Sequence, residues 1–338
     1  MCMSALRGRG MLVVVTALVA IVPVAWAQTS ADVAFVSERD GNPEIYAVRA
    51  DGSNLRRLTR NNAADLQPVY SPRGTYILFI SDRDGDQDPC LMAPDGGRQR
   101  SVINSPGFEE HPGWSPDETQ IIFVSDRSGN SEVNICATDG SGLRNVTNFP
   151  GWDTKPVWSP KGNRIAWVAD RGGNQDVLIS AVDGSNVTAI ATHPAWDGDP
   201  AFSPDGGRLA FRTHRDGNIA VYVCDLASGA ITNVSANNVW NEEPAWAPDG
   251  DRLVYASSPA GNREIIVANL DTGARTNITN RSSNEWAPQW SPDGMLIAFL
   301  SDRSGETRLY VAKADGSGVR EVSKGPVRDE PATWRPLR

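Results

Sequence analysis

Pro112-Gly113-Trp114-Ser115-Pro116-Asp117, then Ile121-Ile122-Phe123-Val124, then Ser125-Asp126-Arg127-Ser128-Gly129-Asn130 is the stretch that decides the fold, because it returns. Its first residue recurs as Pro68, Pro112, Pro156, Pro200, Pro244 and Pro288, each 44 residues after the last. After the Asn130 turn a second apolar run leads to Asp139-Gly140-Ser141, and a short segment ends in Val146-Thr147. Four short apolar segments separated by Gly, Pro, Asp and Asn read as strands joined by tight turns, and no part of the unit keeps a 3.6-residue helical period. A four-stranded unit with a period near 40–45 residues is the signature of a propeller blade.

The blade count follows from the turns. The Ser-Asp-Arg turn or its relic begins at Ser37, Ser81, Ser125, Ala169, Thr213, Ser257 and Ser301, which makes seven. The Pro-aromatic opening also occurs seven times if Pro331-Ala332-Thr333-Trp334 is included, but out of phase at the ends. The expected fold is therefore all-β: a seven-bladed β-propeller of four-stranded blades. Its ring closes when a C-terminal strand at about 331–336 joins the N-terminal strands at about 32–60, which hides sheet edges that an open array would expose.

The chain has 338 residues, with 31 Gly and 23 Pro, and the repeat fills it from about residue 32 onward. The domain expectation is a secretory signal at 1–27 followed by a single propeller at 28–338. Arg7 and Arg9 precede an apolar core from Met11 to Val24, and Ala25-Trp26-Ala27 is a small-x-small cleavage pattern. The mature protein is thus expected in the periplasm or outside the cell, cleaved near Ala27, with no transmembrane span. The formal net charge of −9 becomes −11 once Arg7 and Arg9 leave, which argues against nucleic acid as a partner. Cys90, Cys136 and Cys224 remain, odd in number and in different blades, and are expected as buried free thiols.

Aromatic residues fall into two sets. Tyr70, Trp114, Trp158, Phe202, Trp246, Trp290 and Trp334 occupy one position of every unit, as blade-to-blade packing requires. Phe108, Trp152, Trp196 and Trp240 lie four residues before the repeat proline in four successive blades, where the other units have Ala64, Asn284 and Val327. Packing demanded by the fold would recur seven times, so an arc of four suggests a partner on one side; sealing of neighbouring loops is the alternative. Polar residues follow directly: Asp65, Glu109, Asp153, Asp197, Asn241 and Glu285, with Arg328 and Asp329 in the last unit. The expected site is a funnel rimmed by carboxylates and flanked by the arc, with Phe108, Glu109, Trp152, Asp153, Trp196, Asp197, Trp240, Asn241 and Glu285 as partner-binding residues. No catalytic residue and no cofactor is expected. A crowded ring of Asp65, Glu109, Asp153 and Asp197 would nevertheless suit calcium or another divalent cation. His111, His193 and His214 come from different blades and different repeat positions, so the spacing predicts no histidine-based metal site.

Trp-Ser-Pro-Asp-Gly, Ser-Asp-Arg-x-Gly-Asn and Asp-Gly-Ser together resemble the TolB-type propeller repeat, over about residues 32–336. The resemblance implies a periplasmic or secreted bacterial protein of the cell envelope. In the family's namesake an α/β domain precedes six blades, and the propeller mouth receives a lipoprotein; this sequence counts seven blades and shows no such preceding domain. An envelope protein or lipoprotein is therefore the expected partner, with a glycan as a second class. The competing expectation is a metal-dependent hydrolase or lyase acting on a sugar or lactone in the central channel.

Overall fold

The computed structural model describes residues 31–190 and 193–337, so the secretory signal expected at 1–27 lies outside the described residues. The described residues contain seven separate four-stranded antiparallel sheets and no helix. Blade 3 shows the pattern. Its inner strand Glu109–Trp114 pairs with Gln120–Ser125, which pairs with Glu132–Ala137 and then with the short outer strand Arg144–Asn145. Blades 2, 4, 5, 6 and 7 begin with inner strands Asp65–Tyr70, Asp153–Trp158, Asp197–Phe202, Asn241–Trp246 and Glu285–Trp290. Blade 1 takes its inner strand from the other end of the chain: Trp334 lies opposite Val33 and Thr333 opposite Ala34. The seven-bladed ring closed by its C-terminal strand is therefore present as the period implied.

The repeat proline sits where the ladder can spare it. In each of blades 2 to 7 the inner strand loses register with its neighbour around the proline, as between Glu110 and Gly113 or between Thr154 and Val157. Proline cannot donate to the ladder and is tolerated at such bulges. The residue before it takes a left-handed conformation in all six blades: Gln67, His111, Lys155, Asp199, Glu243 and Ala287 have φ between 48° and 57°.

Between blades, core side chains interlock in clusters that cross from one sheet to the next, such as Leu78 and Leu91 against Ile121 and Phe123. The recurring aromatic adds a polar clasp: the indole N–H of Trp114 donates to Val69 O, that of Trp246 to Ala201 O and that of Trp334 to Gln289 O. The Asp-Gly-Ser turns abut the preceding blade so closely that a Cβ on Gly140, at φ +85°, would lie 2.2 Å from Val102 O. Only glycine fits there. Cys90, Cys136 and Cys224 are free and buried. No helix among the described residues is long and apolar enough to cross a membrane.

Candidate binding site at the channel mouth

Two sets of loops share one face of the ring: those entering the inner strands and those carrying the Ser-Asp-Arg turns. Backbone bonds tie them together within each blade. Asp170 N donates to Trp152 O at 2.8 Å, His214 N to Trp196 O at 3.0 Å and Ser258 N to Trp240 O at 2.9 Å, while Phe108 N donates to Asp126 Oδ1 at 2.8 Å. The asparagine of the turn reaches across to the next blade. Asn130 Nδ2 donates to Phe149 O and Gly151 O, just before Trp152, and Asn174 Nδ2 donates to His193 O, before Trp196.

On this pinned backbone the four arc side chains stand out in solvent. Phe108 is 62% exposed, Trp152 60%, Trp196 56% and Trp240 50%, and every exposed tryptophan among the described residues belongs to this set. Phe149, in the loop before Trp152, is also exposed and carries the Arg171 guanidinium 3.9 Å over its ring. His214 packs tilted against Trp196 at 6.0 Å. In the companion set Tyr70, Trp114, Trp290 and Trp334 are buried and Trp158, Phe202 and Trp246 half-buried.

The polar residues that follow the arc do not form a rim. Asp65, Glu109, Asp153, Asn241 and Glu285 are fully buried and Asp197 is 2% exposed, which corrects the expected carboxylate funnel. The cause is the arginine of the Ser-Asp-Arg turn, which folds back over its own blade. Arg83 pairs with Asp65 at 2.9 Å, Arg127 with Glu109 at 3.1 Å, Arg171 with Asp153 at 2.9 Å, Arg215 with Asp197 at 3.5 Å and Arg303 with Glu285 at 3.2 Å. Several of these guanidiniums also cover a phenylalanine ring on the second strand, as Arg127 covers Phe123 at 5.6 Å. Blade 6 has Pro259 at the arginine position and Asn241 at the acid position, so the two changed together. Asn241 Nδ2 instead donates to Val239 O and Asn237 Oδ1, bracing the Trp240 loop.

The expected cation ring of Asp65, Glu109, Asp153 and Asp197 is likewise corrected, since an arginine already supplies the positive charge beside each carboxylate. Among the described residues no group of three or more His, Cys, Asp or Glu side chains is placed to hold a metal ion. Burial raises the Asp153 and Asp197 carboxyls to about 6. It raises Asp88 to about 7, helped by the neighbouring Glu109 carboxyl.

The channel wall itself was missed at the sequence level. The left-handed residue before each repeat proline reaches along the ring to the next blade: His111 N donates to Gln67 Oε1, Ala287 N to Glu243 Oε2, and Gln67 N to Glu330 Oε2. A ladder of charge runs from blade 4 to blade 6. Lys155 Nζ lies 2.6 Å from Asp199, Asp199 lies 3.0 Å from Arg212 Nε, Arg212 lies 3.9 Å from Glu242, and Glu242 lies 3.2 Å from Arg263. In blade 3, Glu110 faces His111 Nδ1 at 3.4 Å, and this contact holds its carboxyl below the usual range. Blades 7 and 2 instead present Trp286, Ala287 and Leu66, all buried. Blades 3 to 6, the four that carry the exposed aromatics, thus hold the longest run of charge on the wall, and blade 1 adds Glu330, paired with Arg328 at 3.1 Å. The signal was present in the sequence. The position before the proline holds Gln67, His111, Lys155, Asp199, Glu243 and Ala287, which vary in charge inside an otherwise uniform motif.

Comparison with known proteins agrees with this architecture. The family model for the TolB beta propeller domain matches residues 7–102, 91–198 and 177–336. The Tol-Pal system protein TolB of Geobacter sulfurreducens is 50% identical over 42 residues, which is 12% of this chain and 10% of the relative. The chain therefore matches only about a tenth of that relative's length. Two solved structures show the same fold. An oligogalacturonate lyase from Vibrio parahaemolyticus superposes with a TM-score of 0.65 at 15% identity, covering 86% of this chain and 84% of that one. A puromycin-hydrolyzing peptidase from Mycobacterium tuberculosis gives 0.71 at 14% identity, covering 87% of this chain and 53% of that one. Because the family model spans nearly all the described blades, the chain belongs to the TolB beta propeller domain family.

Proposed function

We propose that this protein is an exported, non-enzymatic scaffold of the bacterial envelope that captures a protein partner on the aromatic side of its channel mouth. The observation that carries the reading is the exposure of Phe108, Trp152, Trp196 and Trp240 on backbone fixed by hydrogen bonds, in four consecutive blades. Aromatic anchors held rigid before binding lose little conformational entropy when a partner arrives, and contiguous exposed apolar surface marks interaction sites. Sealing between loops would have buried them. The kinship with a Tol-Pal system protein favours an envelope protein or lipoprotein as partner, and the leader ending near Ala27 favours the periplasm or secretion. A glycan is the second partner class that stacking on indole would admit.

The enzymatic alternative, metal-dependent cleavage of a sugar or lactone, draws on the likeness to an oligogalacturonate lyase, which reaches only the fold. The acids expected to hold its metal lie buried against arginines. The test of the scaffold reading is affinity capture from an envelope extract. The wild-type chain retains a discrete partner, and Trp152→Ala/Trp196→Ala loses it while melting like the wild type. Equal retention by the variant contradicts the reading.

A further inference from the structure

The wall beneath the arc carries an imbalance of charge. The cations of the ladder are already engaged: Lys155 by Asp199, Arg212 by Asp199 and Glu242, and Arg263 by Glu242. Glu110 contacts the His111 imidazole and Glu243 accepts the Ala287 N–H, while Lys155 and Arg263 act on them only from beyond contact. Among the described residues neither has a lysine or arginine at ion-pair distance. These two carboxyls lie one and two residues into the channel from the buried polar residue that follows the arc, Glu109 in blade 3 and Asn241 in blade 6. At about 3.3 Å per residue, they sit within about 10 Å of the loops that display the aromatics.

We propose that arc and wall form one site for a polypeptide segment whose apolar side chains rest on Phe108, Trp152, Trp196 and Trp240 and whose guanidinium or ammonium group enters the channel, whose wall carries Glu110 in blade 3 and Glu243 in blade 6. The inference rests on the protein-binding reading above and adds the chemistry of the partner. Complementarity of charge selects the occupant: a carboxylate entering the same space would meet Glu110, Glu242 and Glu243, and like charges brought together at an interface oppose binding. A cation gains a charge-assisted hydrogen bond. The Glu243 carboxyl supports this placement, since burial and the neighbouring Glu242 and Asp199 raise it to about 7, as happens to a carboxyl short of positive charge.

The probe is a matched pair of synthetic peptides, acetyl-Trp-Arg-Trp-amide and its citrulline isostere, titrated calorimetrically into the folded protein. The arginine peptide binds about tenfold more tightly than the citrulline peptide. In Glu110→Gln/Glu243→Gln the difference vanishes while the citrulline peptide keeps its affinity, and Trp152→Ala/Trp196→Ala weakens both peptides. Glutamine at 243 retains an acceptor for the Ala287 N–H, and Glu110→Gln alone serves as a second variant should the double one melt early. Equal affinity of the two peptides for the wild type, a difference that survives both glutamine variants, or failure of either peptide to bind at millimolar concentration overturns the proposal. If capture from the envelope extract is lost in Trp152→Ala/Trp196→Ala while the peptides bind alike, the cationic site falls and protein binding stands. If capture is unaffected, protein binding itself falls.

Discussion

Arg127 is 18 residues from Glu109 in sequence, yet the two make one buried unit that also includes the Ser125 hydroxyl, 2.8 Å from Arg127 Nε and 2.6 Å from Glu109 Oε1. Removing one member of such a pair strands the other in a dry interior, at a cost of about 3–5 kcal/mol. Arg127→Ala is therefore expected to lower the urea-unfolding free energy by about that amount, whereas Glu109→Asn/Arg127→Ala recovers most of it. A double variant no more stable than Arg127→Ala would contradict the pairing. Blade 6 makes the same trade naturally through Asn241 and Pro259. That covariation was readable in the sequence. Nothing in the spacing of the Ser-Asp-Arg motif shows that its arginine folds back. The acids read as a rim for the same reason. A charged residue beside an exposed loop aromatic suggests solvent, and only the third dimension supplies the buried partner.

The element scale is where neighbouring strands press acids together. Asp88 opens the third strand of blade 2 and Glu109 the inner strand of blade 3, and both are fully buried with one carboxyl oxygen each unpartnered in the protein. Asp88 and Glu243 are raised to about 7 and Asp153 and Asp197 to about 6, in each case chiefly by burial. Free carboxyls in the unfolded chain titrate near 4. Between about pH 4 and pH 7 the folded protein thus binds more protons than the unfolded one, so stability falls as pH rises through that window. Turn residues such as Asp117, Asp139 and Asp183 are shifted down by serine and backbone hydrogen bonds, so their contribution is lost only in stronger acid. The urea midpoint is expected to be higher at pH 5 than at pH 8, and Asp88→Asn to flatten part of the slope. A midpoint that rises from pH 5 to pH 8 would contradict these junctions. Strand order and turn positions were legible from Gly, Pro and Asp punctuation. The bulge at each proline was not, because a proline in a strand marks an edge or a bulge equally well until the register is seen. The channel-facing residues before it were overlooked with it.

For the whole molecule, closure depends on two residues of inner strand, Thr333 and Trp334, with Arg335 contacting Gly74 O and Asp32. Removing residues 331–338 bares the edge of Asp32–Ser37 and the flank of blade 7. Exposed strand edges pair with other chains, so the truncated protein is expected to melt earlier and to associate with rising concentration on size exclusion. A monomer with unchanged melting would contradict ring closure as a source of stability. The seven blades and the closing strand were legible because the period is exact and the split unit fills itself from both ends. The asymmetry of the mouth was half legible: the aromatics showed it by their absence from three blades, while the matching charge on the wall lay in residues without a motif. Site-specific photocrosslinking tests that asymmetry most directly. A benzophenone amino acid placed at Trp196 is expected to trap an envelope protein, and the same group at Ala64 or Asn284, the equivalent positions of blades 2 and 7, to trap none; equal yields at all three, or capture from 64 and 284 alone, would contradict it.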